Sequence, residues 1–362
     1  MKYLLKKVIT SNNNAKVFLA VSQKGLSSCN VILKTVLPGI EGAIHQKLII
    51  AKLLNHPNIQ SLIDFGEYIN NNERCFYTCN VYVHGVYLSE LLQMFALKKI
   101  KPPLPLVYHI ICSICDALEY TQNFNLAGSE NEYIPHGNIC PDNILISYNG
   151  DVLLVNTGFA DAVLYRFNGK NLLKNEHTVF SHPDVCNGKP WEKKYEFYSV
   201  GMLLFCMLAG IDKFISLWDQ FGKFSTRLDY TIFPQISQSM HHLISSLTLN
   251  NKDLEFPEYH SMKAVKMQIQ ALFLKFDGNE KELCGLIIRA LYKEPDINYI
   301  TGKKTDAVDL YKMRGEETSR IAKNVLQNAK KIDIQIYEAE TEQIPLSEIL
   351  MNLEPRNRSV IR

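Results

Sequence analysis

The sequence predicts an α+β chain folded as two lobes, a small β-rich lobe and a larger helical one with a helical C-terminal extension. Three observations predict it. The chain has 362 residues, more than the roughly 250–300 at which a single hydrophobic core stops growing. Its first 83 residues hold short apolar segments dense enough for half-buried strands, separated by polar turns. From residue 86 onward, apolar residues recur mainly at helical spacing. The division that follows is 1–83 for the small lobe, 84–272 for the large lobe and 273–362 for the extension and tail.

Taken in order, Tyr3–Ile9 reads as a strand closed by the polar cluster Thr10-Ser-Asn-Asn-Asn14. Val17–Val21 and Cys29–Val36 flank a turn at Gly25. A helical pattern over 40–54 places Ile44, Leu48, Ala51 and Leu54 on one face. Asn55-His-Pro-Asn58 ends it, because proline disfavours helix at the residue before it. Strands at 60–66 and 74–83 complete a small sheet. Helices are expected at 104–121, 193–210, 236–248, 258–274 and 281–292, the last carrying Leu283, Leu286, Ile287, Ala290 and Leu291 as an apolar face suited to docking on the large lobe, with a charged amphipathic helix over 308–332 and a tail over 333–362.

Composition narrows the function classes. Apolar residues make up 46% and charged residues 21%, ordinary globular values. The formal net charge is +2, which argues against a partner such as nucleic acid chosen by bulk charge. The longest apolar run, Ser199–Gly210, is too short to span a bilayer and suits a buried helix. Lysines interrupt Met1–Val8, so it does not read as a signal peptide, and a cytoplasmic location is expected. The nine cysteines are then expected reduced. Cys112 and Cys115 fall on one buried helix face rather than in a zinc site, and Cys75 and Cys79 belong to a strand.

Particular segments are more specific. His136-Gly-Asn-Ile-Cys-Pro-Asp-Asn-Ile-Leu-Ile146, followed by Asn156-Thr-Gly158, resembles the catalytic loop and metal-binding triplet of protein kinases. Val31-Ile-Leu-Lys34 resembles the strand that carries the family's lysine, and His56-Pro-Asn-Ile59 the turn after its first helix. His182-Pro-Asp184 and Glu196-Phe-Tyr-Ser-Val-Gly201 follow in the family's order. Pro103-Leu-Pro-Leu106 and residues 127–133 are similar to segments of the myxobacterial type of bacterial serine/threonine kinases. The resemblance covers roughly residues 1–272 and implies a protein kinase-like fold.

Against that family pattern, the charged positions have changed. Asn138 stands where the catalytic aspartate base would be, and an amide has no useful basicity. Gly137 replaces the preceding arginine and Cys140 the loop lysine. Asn156 occupies the magnesium position, and magnesium prefers carboxylate and phosphate oxygens. Thr157 replaces a packing phenylalanine. Thr10, Asn12 and Ala15 fill the three glycine positions of the phosphate loop, where side chains obstruct a close backbone approach. Lys47, beside Gln46, stands where a glutamate would pair with Lys34, and Glu41 is too early to substitute. Asp184 lacks its arginine, which aligns with Glu255. Lys34 and Asn143 persist. Asn80 aligns with the residue guarding the back of the adenine site, and Val81–Val83 with the hinge.

What the resemblance then implies is a pseudokinase: a kinase-like fold that binds, regulates or scaffolds a protein partner in signalling. No cofactor is required for that role. ATP binding through Lys34, Asn80, Val83 and Asn143 is left open, and a metal at Asn143 and Asn156 is expected to be weak or missing. No nucleic acid partner and no membrane segment are expected. The alternative is a divergent active serine/threonine protein kinase drawing a metal ligand from Asp142, Asp151 or Asp161. A transfer to a non-protein acceptor or a nucleotidylation has no positive support. Finally, Ile344-Pro-Leu-Ser-Glu-Ile-Leu-Met-Asn-Leu353 carries apolar residues at helical spacing, suited to docking on this chain's own lobe or on a partner.

Overall fold

The computed structural model describes residues 2–11, 15–24, 27–36, 47–70, 73–124, 135–158, 179–186, 189, 191–221, 236–248, 259–273 and 278–292. The expected helix at 308–332, the 333–362 tail, Asn12, Glu41, Gln46, Asp161 and Glu255 lie outside them.

The small lobe is a five-stranded antiparallel sheet in the order β1-β2-β3-β5-β4. Its strands are β1 (Lys2–Ser11), β2 (Ala15–Lys24), β3 (Ser27–Val36), β4 (Leu62–Asn70) and β5 (Glu73–Val81). The first four are longer than their apolar cores predict, because the polar ends continue the ladder: Thr10 pairs with Val17 and Ser11 with Lys16. Two irregularities in β1, between Leu5 and Lys7 and between Val8 and Thr10, bend it. On one sheet face Ala20, Val31, Leu33 and Cys79 form a small core, against which Tyr3, Phe18, Ile63 and Tyr77 pack. Tyr3 and Tyr77 both donate to Asp64 Oδ2, at 2.8 and 3.2 Å.

Residues 47–51 are helical and are called α1 here. The turn that follows ties the lobes together. Leu154 N–H donates to Asn58 O (2.8 Å) and Gln60 N–H to Leu154 O (2.9 Å), a parallel bridge from Ile59 to Leu154. Asn58 Nδ2 adds a bond to Val152 O at 2.8 Å. Leu154 belongs to a second, three-stranded sheet of β6 (Gly85–Tyr87), β7 (Ile144–Ser147) and β8 (Val152–Leu154).

The large lobe is helical: α2 (Leu88–Leu97), α3 (Leu104–Gln122), α4 (Pro183–Cys186), α5 (Lys194–Ala209), α6 (Ile211–Phe221), α7 (Gln238–Thr248), α8 (Met262–Leu272) and α9 (Glu280–Leu291). Pro103 supplies an extended entry to α3, whose pattern buries Leu106, Val107, Ile110, Ile111, Ile114 and Leu118. Buried residues surround α5 on nearly every side, as a helix apolar all round requires. Cys112 and Cys115 are both buried, and among the described residues no His/Cys/Asp/Glu cluster could hold a metal ion. No described helix is long and apolar enough to cross a membrane.

Two expectations need correction. The extension was expected to dock through Leu283, Leu286, Ile287, Ala290 and Leu291. Ile287 is buried and Leu283 and Leu291 pack against the core as expected, but Cys284, Gly285 and Ile288 are buried as well and Ala290 is exposed. The cause is local: Gly285 must lie against the 148–150 turn, since a Cβ there would come within 2.9 Å of Tyr148 O. Helix α6 was not foreseen, because its apolar spacing follows α5 after a single glycine, Gly210, with φ 89°.

Candidate functional site

The site lies between β3, the 136–143 loop and residues 155–158 and is built on buried anchors. Glu196, fully buried in α5, accepts the His136 N–H at 2.7 Å and Gln122 Nε2 at 3.0 Å. His136, also fully buried, is bonded through Nε2 to Val155 O at 2.9 Å. Val155 N–H in turn donates to Asn143 O at 3.0 Å. An acid at the start of an apolar helix is tolerable only when such donors surround it. Gly137 follows His136 with φ 82°, a left-handed conformation that glycine adopts without strain.

On these anchors stand the residues the sequence singled out. Lys34 Nζ donates to Asn156 Oδ1. Asn156 Nδ2 donates to Asn143 Oδ1 at 2.7 Å. Asn143 Nδ2 donates to Asn138 O at 2.8 Å and approaches Cys140 Sγ at 3.5 Å. The result is one directional chain from β3 to the loop. Lysine can only donate when charged, so it fixes an oxygen of Asn156 toward itself. That choice orients both amides in turn.

The chemistry of this set is cationic and amide. Asn138, Asn143 and Asn156 carry no charge, and the two oxygens that would face a metal already accept hydrogen bonds. Three neutral amides are a poor donor set for magnesium, which demands oxygen anions and sheds water reluctantly. Burial drives the Lys34 ammonium down from 10.5 to about 8. Desolvation is the cause. Lys47 begins α1, and its carbonyl lies against Gly158, where a Cβ would come within 3.0 Å. Asn156 itself sits at φ 67°, a region asparagine tolerates better than most side chains.

The remaining positions are filled quietly. Cys140 is fully buried, and burial pushes its thiol up to about 12, so it is inert rather than reactive. The Thr157 hydroxyl and the Asn138 Oδ1 are buried without a hydrogen-bond partner among the described residues. Asn80 is buried on β5, opposite Ile32 and Leu62. Val83 is half-buried. Val81 uses both backbone groups on the β4 side: its N–H donates to Ser61 O at 3.0 Å and its carbonyl accepts Gln60 Nε2 at 2.9 Å. Sequence reasoning passed over Gln60 and Glu196 as site residues. The signal for Glu196 was there, as the one acid inside Tyr195–Gly210.

Of the acids considered as substitute metal ligands, Asp151 is engaged elsewhere. It pairs with Lys281 of α9 at 2.5 Å and accepts Ser147 Oγ at 2.9 Å, which lowers its carboxyl below the usual range despite partial burial. Asp142 is exposed on the short 3-10 turn of Pro141–Asn143. Asp184 is held by Lys189 at 2.9 Å and by the Tyr195 hydroxyl at 3.4 Å, partners nearby in sequence that stand in the place of a distant arginine.

Two lobes joined at a hinge, with lysine, loop and triplet converging between them, define a protein kinase-like domain. The protein kinase domain model matches residues 5–254, and the chain belongs to that family. It is 24% identical over 220 residues to the tyrosine-protein kinase MasK of Myxococcus xanthus, covering 59% of this chain and 33% of that protein. It is 25% identical over 238 residues to the serine/threonine-protein kinase PrkC of Bacillus subtilis, covering 64% and 34% respectively. A similar match, 28% over 169 residues, is to the serine/threonine-protein kinase PknB of Mycolicibacterium smegmatis, covering 46% and 25%. The chain thus spans about a third or less of the length of these relatives.

Proposed function

We propose that this chain is a catalytically inactive member of the kinase family that works as a protein-binding, regulatory or scaffolding module. The observation that carries the reading is the hydrogen-bond chain Lys34–Asn156–Asn143–Asn138. Phosphoryl transfer rests on positioning and on electrostatic stabilisation of the transferring group. Here the base position is an amide, and the two amides at the metal positions, Asn143 and Asn156, bond to each other. General-base catalysis alone is worth about 10²–10⁴ in rate, and the metal's contribution would be lost with it.

The test is a phosphate-transfer assay on the purified chain beside a thermal shift with ATP, with magnesium and with chelator. No transfer and no magnesium-dependent shift are expected, and Asn138→Asp with Asn156→Asp together should create no activity. A ligand at 100 times its Kd would stabilise by about 2.7 kcal/mol, easily seen as a shift. Phosphate transfer by the wild-type chain that disappears in Lys34→Ala would overturn the proposal in favour of a divergent active kinase.

A further inference from the structure

Strand β1 stands at one end of the sheet order, so among the described residues its outer edge has no strand partner. It is also apolar where it meets water: Leu4, Leu5, Val8 and Ile9 are 52%, 50%, 51% and 49% exposed. A long edge with exposed aliphatic side chains is a template for another strand, and native sheets usually cover such an edge. Charge indicates what would cover it. Before Glu41 the chain carries Lys2, Lys6, Lys7, Lys16, Lys24 and Lys34 and no acid. A second copy of β1 would set lysine against lysine, which is unfavourable across a strand pair. The edge calls for an acidic strand.

The sequence carries a segment of that pattern. In Ile332-Asp-Ile-Gln-Ile-Tyr-Glu338, isoleucines at 332, 334 and 336 alternate with Asp333, Gln335 and Tyr337. This is the period of a strand in β-branched residues, distinct from the helical spacing on either side. From Ile332 to Pro355 there are six acids, Asp333, Glu338, Glu340, Glu342, Glu348 and Glu354, and no lysine or arginine. Reach is ample. The last described residue, Tyr292, donates its hydroxyl to Glu90 O in the large lobe at 2.8 Å. The linker from there to Ile332 spans up to roughly 130 Å when extended, and averages roughly 35 Å as a flexible coil.

We propose that residues 332–338 add to the outer edge of β1 of the same chain as a sixth strand, with their acids facing its lysines. Backbone bonds along the edge supply affinity, and the alternating isoleucines cover the exposed aliphatic side chains. Tethering supplies an effective concentration in the millimolar range. The inference stands independently of whether the kinase site turns over.

Amide hydrogen exchange on the full chain tests it. The β1 amides that point away from β2 and the amides of 332–337 should be protected together. Ile334→Pro, which removes a ladder donor outside the folded lobes, should release both sets and leave α3 and α5 unchanged. Lys6→Glu with Lys7→Glu should release them as well, and adding Asp333→Lys with Glu338→Lys should restore them. Exchange of 332–337 at the open-chain rate in the wild type, or β1 protection unaltered by Ile334→Pro, would overturn the proposal. So would protection that appears only as rising concentration forms a dimer, since the occupant would then come from another copy.

Discussion

At the scale of single residues, the informative group is Lys34. Its ammonium is desolvated with no carboxylate holding it among the described residues, so its folded-state pKa of about 8 lies below the ordinary 10.5. Below pH 8 both folded and unfolded chains carry the proton, and the burial penalty is present in full. Between pH 8 and 10.5 only the unfolded chain keeps it, so this residue's contribution to stability rises with pH. Wild type should therefore gain on Lys34→Met by roughly 2–3 kcal/mol as pH increases through that window. Urea unfolding of both proteins at pH 7 and pH 10 measures it; parallel behaviour would mean that Lys34 is solvated or paired. Asn156, at φ 67°, gives a second prediction. Asn156→Ala and Asn156→Gly lose the same hydrogen bonds, but only alanine bears the left-handed strain, about 1–2 kcal/mol. Glycine's greater freedom in the unfolded chain offsets part of this, so Asn156→Ala should be the less stable by about 0.5–1 kcal/mol.

At the scale of elements, α9 is clasped to the β7–β8 turn by contacts that leave no room for side chains. His109 Nε2 bonds Gly150 O at 2.7 Å, Arg289 donates to Tyr148 O, and Lys281 pairs with Asp151. Gly150 has φ 85°, and a Cβ on it would lie 1.9 Å from Lys281 O. Gly150→Ala should cost on the order of 2–4 kcal/mol, since two backbones would have to separate. Gly285→Ala should also destabilise, although alanine is worth about 1 kcal/mol more than glycine inside a helix; chemical denaturation of the two variants checks both signs. The clasp also marks what periodicity can and cannot reveal. The pattern placed α3, α5, α7, α8 and α9 within a few residues, because each buries an apolar stripe. It missed α2, α6 (separated from α5 by only Gly210) and the short elements β6, β7, β8 and α4. On α9 it found Leu283, Ile287 and Leu291 but passed over Cys284, Gly285 and Ile288, because a glycine contact, invisible to hydropathy, turns that side of the helix inward. In the site it singled out Lys34, Asn138, Asn143 and Asn156 one by one. The bonds of Asn156 to Asn143 and Lys34, and the anchoring by Glu196 and Gln60, depend on contacts across 13 to 122 residues of sequence, which no local pattern encodes.

At the scale of the whole molecule, the question is whether the two lobes are one folding unit. The small lobe's sheet has a modest core, and the lobes are tied by backbone bonds as well as by Ile50, Leu54 and Ile59, which pack into the large lobe's core. Those bonds run from the 56–60 turn into β8. The Lys34–Asn156 bond adds a second tie from β3 to the same segment. A module that binds partners rather than opening and closing on nucleotide gains from such fixed ties, because a preorganised surface loses less entropy on association. Both lobes should then unfold in a single transition. The two tryptophans, Trp191 and Trp218, lie in the large lobe, so their fluorescence reports that lobe, whereas far-ultraviolet dichroism reports both. The two signals should trace coincident urea curves. Asn58→Ala, which removes the 2.8 Å bond to Val152 O, should shift both together by about 1 kcal/mol. An early dichroism change that precedes the fluorescence change would mean that the small lobe melts alone. The ties through Asn58 and Lys34 would then be too weak to hold the lobes as one body.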